Sequence, residues 1–399
     1  MHYCTVWALS PQANWVAAGQ LHFGQAGCTF RYLQSWLQST WAYSLDPVHL
    51  PLAPAIYYPA EPTQVLPLFA DLLPQGWVAK LGNPLSETPP QTLYTQFKYR
   101  PDSLNSIRLS PADTPLTELP IPSWNDLEPY CQRARQQPRG ELPLARYLEF
   151  MAGGCWRGER PKLTFQGFNK LWLAKWQTAD EDINWPQIEY ACQELLAQAG
   201  LNVPARHLIP SAAAGWIYLI ERFDCAAHQP LYFVSADVLL AQSKSTELDI
   251  DARRDPGSYI ALARCLRRYS SDAKADLHEL FRRLIANIVL NNTQDQLYKF
   301  GLVYHLHTRK WRLAPCFGVR PALNQNRYHS LGLGTQGRLR SLANALSLAA
   351  EFTLTSAQAN KLIADLREQL TSWRDVFEHC GVNNQDRHRL GLVIQTEGV

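Results

Sequence analysis

The sequence predicts an α+β protein with a β-rich amino-terminal lobe and a mostly helical carboxy-terminal lobe. Two patterns point to it. Between residues 3 and 30, short β-type runs alternate with turn residues. In the segments 276–292 and 356–380, apolar residues recur at three- and four-residue steps, the stripe of helices packed on a core. Composition agrees: 46% of the 399 residues are hydrophobic and 18% charged, enough apolar material to bury in two or three packed units.

In chain order, residues 20–23 and 28–32 read as strands joined by a turn at 24–27. Residues 67–77 read as a helix closed by Pro74 and Gly76. A first module is expected over 1–110. Prolines at 111, 115, 120, 122, 129, 138 and 143 make 111–146 a mostly extended linker or wrapping arm. The remaining module, 147–399, opens with strands at 161–165 and 171–176 joined by Gly167 and Asn169. A helix over 185–198 is capped at Gly200, and a third strand follows at 216–223. The striped helix at 276–292 leads to a hairpin of 302–305 against 311–314, and a last long helix over 356–380 ends at Gly381.

A net charge of +3 argues neither for nucleic acid nor for a membrane surface as a direct partner. The nine cysteines are scattered without a CxxC pair, the usage of reduced, buried thiols. The amino terminus lacks a signal-peptide pattern, and the longest apolar run, 212–220, is too short to span a bilayer. A cytoplasmic protein with no membrane partner is expected. His305 and His307 alternate on a strand with no third ligand near them, and the arginines at 264, 267, 268, 282 and 283 read as helix surface.

Seven short motifs occur in a telling order: Phe30-Arg-Tyr32 with Trp36-Leu37, Leu72-Leu-Pro-Gln-Gly76, Gly158-Glu-Arg-Pro-Lys162, Glu221-Arg-Phe-Asp224, Phe281-Arg-Arg283, Asn292-Thr293 and Leu313-Ala-Pro315. Together they resemble the HipA family, serine/threonine kinase toxins of bacterial toxin–antitoxin pairs, over nearly the whole chain. The resemblance implies a protein-kinase-type fold with an amino-terminal coupling-type module. It implies ATP as nucleotide and a small helix-turn-helix antitoxin (HipB-like) or a related kinase subunit as partner, with DNA reached only through that partner.

Position by position, Lys175 looks like the strand lysine that holds the α- and β-phosphates, and Glu189 like the acid that orients it, unless Glu189 is simply solvated. The stretch 153–158 with Arg160 and Lys162 resembles the phosphate-covering loop, and Gly158 belongs to it. A plain structural turn explains the same glycines, and Trp156 makes the loop bulky.

The catalytic loop departs from the family. Gln294 stands where the catalytic aspartate belongs, and a neutral amide does not take a substrate proton. Lys299 stands where a metal-binding asparagine belongs, and an ammonium has no acceptor for a cation. Gly318 replaces the second metal-binding aspartate, so magnesium is not expected at the family site. Asp295 is a candidate replacement base. Lys299 either neutralises nucleotide phosphates without magnesium or reaches into solvent.

The expectation is a pseudokinase that acts by binding a partner. The alternatives are a weak kinase using Asp295 on a translation factor such as a tRNA synthetase, and a nucleotide sensor.

Overall fold

The computed structural model describes residues 2–24, 27–61, 64–73, 75–80, 107–111, 121–136, 143–152, 157–225, 231–241 and 247–395. The chain divides into two compact units. The first comprises Met1–Ala179, Pro210–Val234 and Val303–Lys310, and the second Asp180–Ile209, Ser235–Leu302 and Trp311–Val399.

The first unit opens with strands β1 (His2–Leu9), β2 (Trp15–Gly24), β3 (Gly27–Tyr32), β4 (Ile56–Tyr57) and β5 (Ile107–Pro111), forming a sheet in the order β4-β3-β2-β1-β5. One face is buried: Cys4, Val6 and Ala8 of β1 alternate with partly exposed residues, as a period-2 strand against a core requires. Gly19 is glycine for a spatial reason, since a Cβ there would meet the Phe30 ring at 2.3 Å. Trp36 on the helix Gln34–Gln38 and Phe69 on the helix Pro67–Ala70 are fully buried.

Two sequence expectations change here. The helix expected over 67–77 is two pieces, Pro67–Ala70 and Gly76–Lys80, so Gly76 starts a helix instead of closing one. The proline-rich arm contains a 13-residue helix, Trp124–Gln136, with Pro129 inside it. That proline removes one hydrogen bond early in the helix, while Ser123 caps the start by donating its N–H and its hydroxyl to Asp126, both at 2.7 Å. Burial of Leu127, Tyr130, Cys131 and Ala134 outweighs the proline's cost. Glu128 ties the helix to the turn after residue 210, accepting from the Ser211 hydroxyl at 2.8 Å and the Ala213 N–H at 2.6 Å.

Strands β6 (Lys162–Gly167) and β7 (Lys170–Lys175) form the expected hairpin, with Phe168 and Asn169 at φ 51° and 58° in the turn. β7 pairs with β9 (Gly215–Glu221), and β8 (Arg206–Ser211) completes the order β6-β7-β9-β8. β10 (Leu231–Ser235), β11 (Gly301–His305) and β12 (Lys310–Leu313) make a three-stranded sheet, the last two being the expected hairpin.

In the second unit the helix Trp185–Gln198 runs as expected, capped by Asn184 and ended by Gly200 at φ +71°. The helix Ala273–Val289 carries the core stripe, burying Leu277, Leu280, Phe281, Leu284 and Ile288. The last long helix is two helices, Ser356–Leu370 and Trp373–His379. At the break the Thr371 hydroxyl donates to the Glu368 carbonyl at 2.6 Å and the Ser372 hydroxyl to the Gln369 carbonyl at 2.9 Å, competing with the helical ladder. No helix among the described residues is long and apolar enough to cross a membrane.

Candidate functional site

Two loops carry the chemistry the sequence singles out, one in each unit. In the first unit Lys175 closes β7, opposite Lys162 of β6 and Tyr218 of β9, with its ammonium 5.4 Å from the centre of the Tyr218 ring. Residues 153–156, including Trp156, lie outside the described residues.

The rest of that loop is fastened to the helix Gly76–Lys80 and the residues before it. The Trp77 N–H donates to the Gly158 carbonyl at 3.0 Å, Arg157 pairs with Asp71 at 2.7 Å, and Lys80 pairs with Glu159 at 2.6 Å. Gly76 (φ +64°) and Gly158 (φ +93°) meet so closely that a Cβ on Gly76 would lie 2.3 Å from the Gly158 oxygen. Lys162 folds back over the loop, donating to the Arg160 carbonyl at 2.8 Å.

In the second unit Glu189 is half-buried on the helix Trp185–Gln198. The loop after the helix Ala273–Val289 turns at Asn291, a non-glycine residue at φ +54°. Asn291 holds that conformation by donating to the carbonyls of Ala322 at 2.6 Å and Asn324 at 2.9 Å. Gln294 is exposed, and its side-chain oxygen accepts from Arg320 at 3.2 Å, whose guanidinium stacks 4.3 Å over the Trp185 ring. No aspartate occupies this exposed position.

Asp295 is fully buried and accepts three bonds: from the Tyr259 hydroxyl at 2.7 Å, from His329 Nδ1 at 2.9 Å and from the Ser330 N–H at 3.3 Å. A carboxylate only accepts, so the proton on His329 sits at Nδ1. Behind it runs a chain of donors with one direction. Asn292 donates to Asn287 at 2.9 Å, Asn287 to the Tyr259 hydroxyl at 2.8 Å, and Tyr259 to Asp295. The Tyr259 phenol is held well above its ordinary range, first by burial and then by the adjacent Asp295 charge.

Lys299 Nζ donates to the Gln294 main-chain carbonyl at 2.6 Å. Its stem runs past Gly318 (φ +70°), where a Cβ would lie 3.6 Å from Lys299 Cδ. Asp295, Lys299, Arg283, Asn292 and Cys316 line one crevice, in which burial pushes the Cys316 thiol up to about 11. Arg283 is buried, paired with Glu279 at 2.9 Å and donating to the Ala314 carbonyl at 2.8 Å. It is therefore no surface arginine, contrary to the sequence expectation. The partners Tyr259, His329 and Arg320 carry no sequence signal, because each is remote from the loop in the chain, and Asn287, on the helix leading into it, belongs to no motif.

The architecture is that of an α+β protein, with the loop after the helix Ala273–Val289 at its candidate site. The family model of the HipA-like C-terminal domain matches residues 154–374, more than half of the chain, and that of the HipA N-terminal domain matches residues 12–83. The chain belongs to the HipA family. Among solved structures it is similar to a chain of the Shewanella oneidensis MR-1 toxin–antitoxin complex of HipA, HipB and operator DNA. The TM-score is 0.67 at 14% identity, over 98% of this chain and 94% of that one. The Helicobacter pylori proinflammatory kinase CtkA matches at TM-score 0.37 and 11% identity over 58% of this chain and 94% of that one, too low to bear on the fold. A search of curated protein sequences finds no match.

Proposed function

We propose that this HipA-family chain is a pseudokinase that acts by binding, its partner a small helix-turn-helix antitoxin-like protein or a related kinase subunit. The observation that carries the reading is the environment of Asp295. It is the sole carboxyl of the loop 290–299, and it is buried and occupied by three internal donors. A general base must reach the proton it takes, and Asp295 reaches only its own scaffold. At the family's aspartate position Gln294 offers an amide. The weak-kinase alternative, acting on a translation factor such as a tRNA synthetase, requires Asp295 to leave this network and strand two buried donors, the Tyr259 hydroxyl and His329 Nδ1.

Lys175 and the loop around Gly158 remain on the phosphate-binding side of the reading, which therefore keeps ATP as ligand. The Shewanella structure, a toxin–antitoxin complex of HipA, HipB and operator DNA, supports an antitoxin-type partner. Cys4, Cys28, Cys131, Cys192, Cys265, Cys316 and Cys380 are free thiols, which suits a reducing, cytoplasmic setting.

Labelled ATP with magnesium tests the catalytic half. No label is expected on the purified chain or on an added tRNA synthetase; transfer that is abolished by Asp295→Asn overturns the reading. Co-expression with the helix-turn-helix protein of a neighbouring gene tests the binding half, and a complex stable through size exclusion is the expected result.

A further inference from the structure

We infer that Lys299 supplies the positive charge that a divalent metal supplies in the family's kinases, so that this chain takes the phosphates of a nucleoside polyphosphate without magnesium. The inference rests on the reading above in one respect: positions 294, 299 and 318 are the family's catalytic and metal-holding positions.

The three substitutions all move charge the same way. The family pattern of aspartate, asparagine and aspartate sums to −1 + 0 − 1 = −2, whereas Gln294, Lys299 and Gly318 sum to 0 + 1 + 0 = +1. A site at −2 repels phosphate until a cation is added; a site at +1 attracts it unaided. The donor set excludes the metal on chemical grounds, since an ammonium and a glycine hydrogen offer no oxygen to magnesium.

Geometry brings the three positions together. Gly318 carries no side chain where the Lys299 stem passes, and its positive φ is backbone that glycine favours. The ammonium then reaches the Gln294 carbonyl at 2.6 Å, so one lysine spans from the turn at 318 to the catalytic loop. A second, independent feature points to a ligand. The Arg283 side chain is 1% exposed and lines the same crevice, and its Nη2 has no hydrogen-bond partner. Glu279 is paired with Arg283, and Asp295, which lines the same crevice, is held by its own donors. Asn292 Oδ1, also without a partner, suits a water bridging to a phosphate oxygen.

Titration calorimetry on the full chain, with ATP in EDTA and then in excess magnesium, tests the inference. ATP is expected to bind in EDTA within about threefold of its affinity in magnesium. Lys299→Met keeps the stem against Gly318 and removes the charge, and it is expected to weaken binding in EDTA at least about tenfold, while Lys299→Arg holds it. Tripolyphosphate as a second probe is expected to show the same dependence on Lys299, which assigns the contact to phosphate and not to the nucleoside. Binding only with magnesium, equal binding by Lys299→Met, or no binding in either buffer overturns the inference. Label transfer from ATP breaks the parent reading instead, so the two failures are distinguishable.

Discussion

The loop 291–299 and the loop 157–162 each turn on a residue at positive φ, Asn291 and Gly158, yet they direct their bonds in opposite ways. The first spends its polar groups within its own unit's core, with Asn292, Asn287, Tyr259 and His329 converging on Asp295. The second spends them on a segment some eighty residues earlier in its own unit, through Asp71, Trp77 and Lys80. A loop whose acid is locked inward keeps its shape without the proton-transfer role. A loop fastened to a distant segment of the chain moves with that segment.

The largest test of this contrast is Asp295→Ala. It leaves the Tyr259 hydroxyl and His329 Nδ1 buried without that acceptor, while the Ser330 N–H keeps its bond to the Thr293 carbonyl at 2.9 Å, and a loss of about 2–4 kcal/mol is expected in urea denaturation. A loss below about 1 kcal/mol would mean the network is not a scaffold, and the inward half of the comparison falls. Gly76→Ala comes next. Its Cβ collides with the Gly158 carbonyl and its backbone stays left-handed, for an expected cost of about 1–3 kcal/mol. Hydrogen exchange should quicken at 157–162 and stay unchanged at 291–299; equal quickening in both loops would erase the contrast.

Much of this was legible in the sequence, and for a physical reason: the motifs that carry the family resemblance touch one another. Gly76 meets Gly158, and Arg283 donates to Ala314 of the Leu313-Ala-Pro315 motif. Residues fixed by a shared contact keep their identity together, so their order in the chain reveals the fold. Elements set by competition between weak local terms were not legible. The helix Trp124–Gln136 forms in spite of Pro129 because burial and the Ser123 cap outweigh one lost bond, and the last helix breaks because two hydroxyls bond back at Thr371 and Ser372. At the site, Gln294, Lys299 and Gly318 could be read directly, but the role of Asp295 could not. Its three partners come from residues 259, 329 and 330, and only the folded chain brings them together.

The smaller predictions ask which contact fastens the loop 157–162. Asp71→Asn breaks a half-buried ion pair to Arg157 and is expected to cost about 1 kcal/mol, with faster exchange at Arg157 and Gly158. Lys80→Ala breaks a pair whose side chains are 53% and 79% exposed, where screening by water and salt leaves little net attraction. A stability change within about 0.5 kcal/mol is expected, together with insensitivity of the exchange rates at 157–162 to added salt. If Lys80→Ala instead loosened the loop as much as Gly76→Ala, the fastening would be electrostatic and tunable by ionic strength. A small effect leaves it to the Trp77 N–H and the contact of two glycines, which no salt concentration screens.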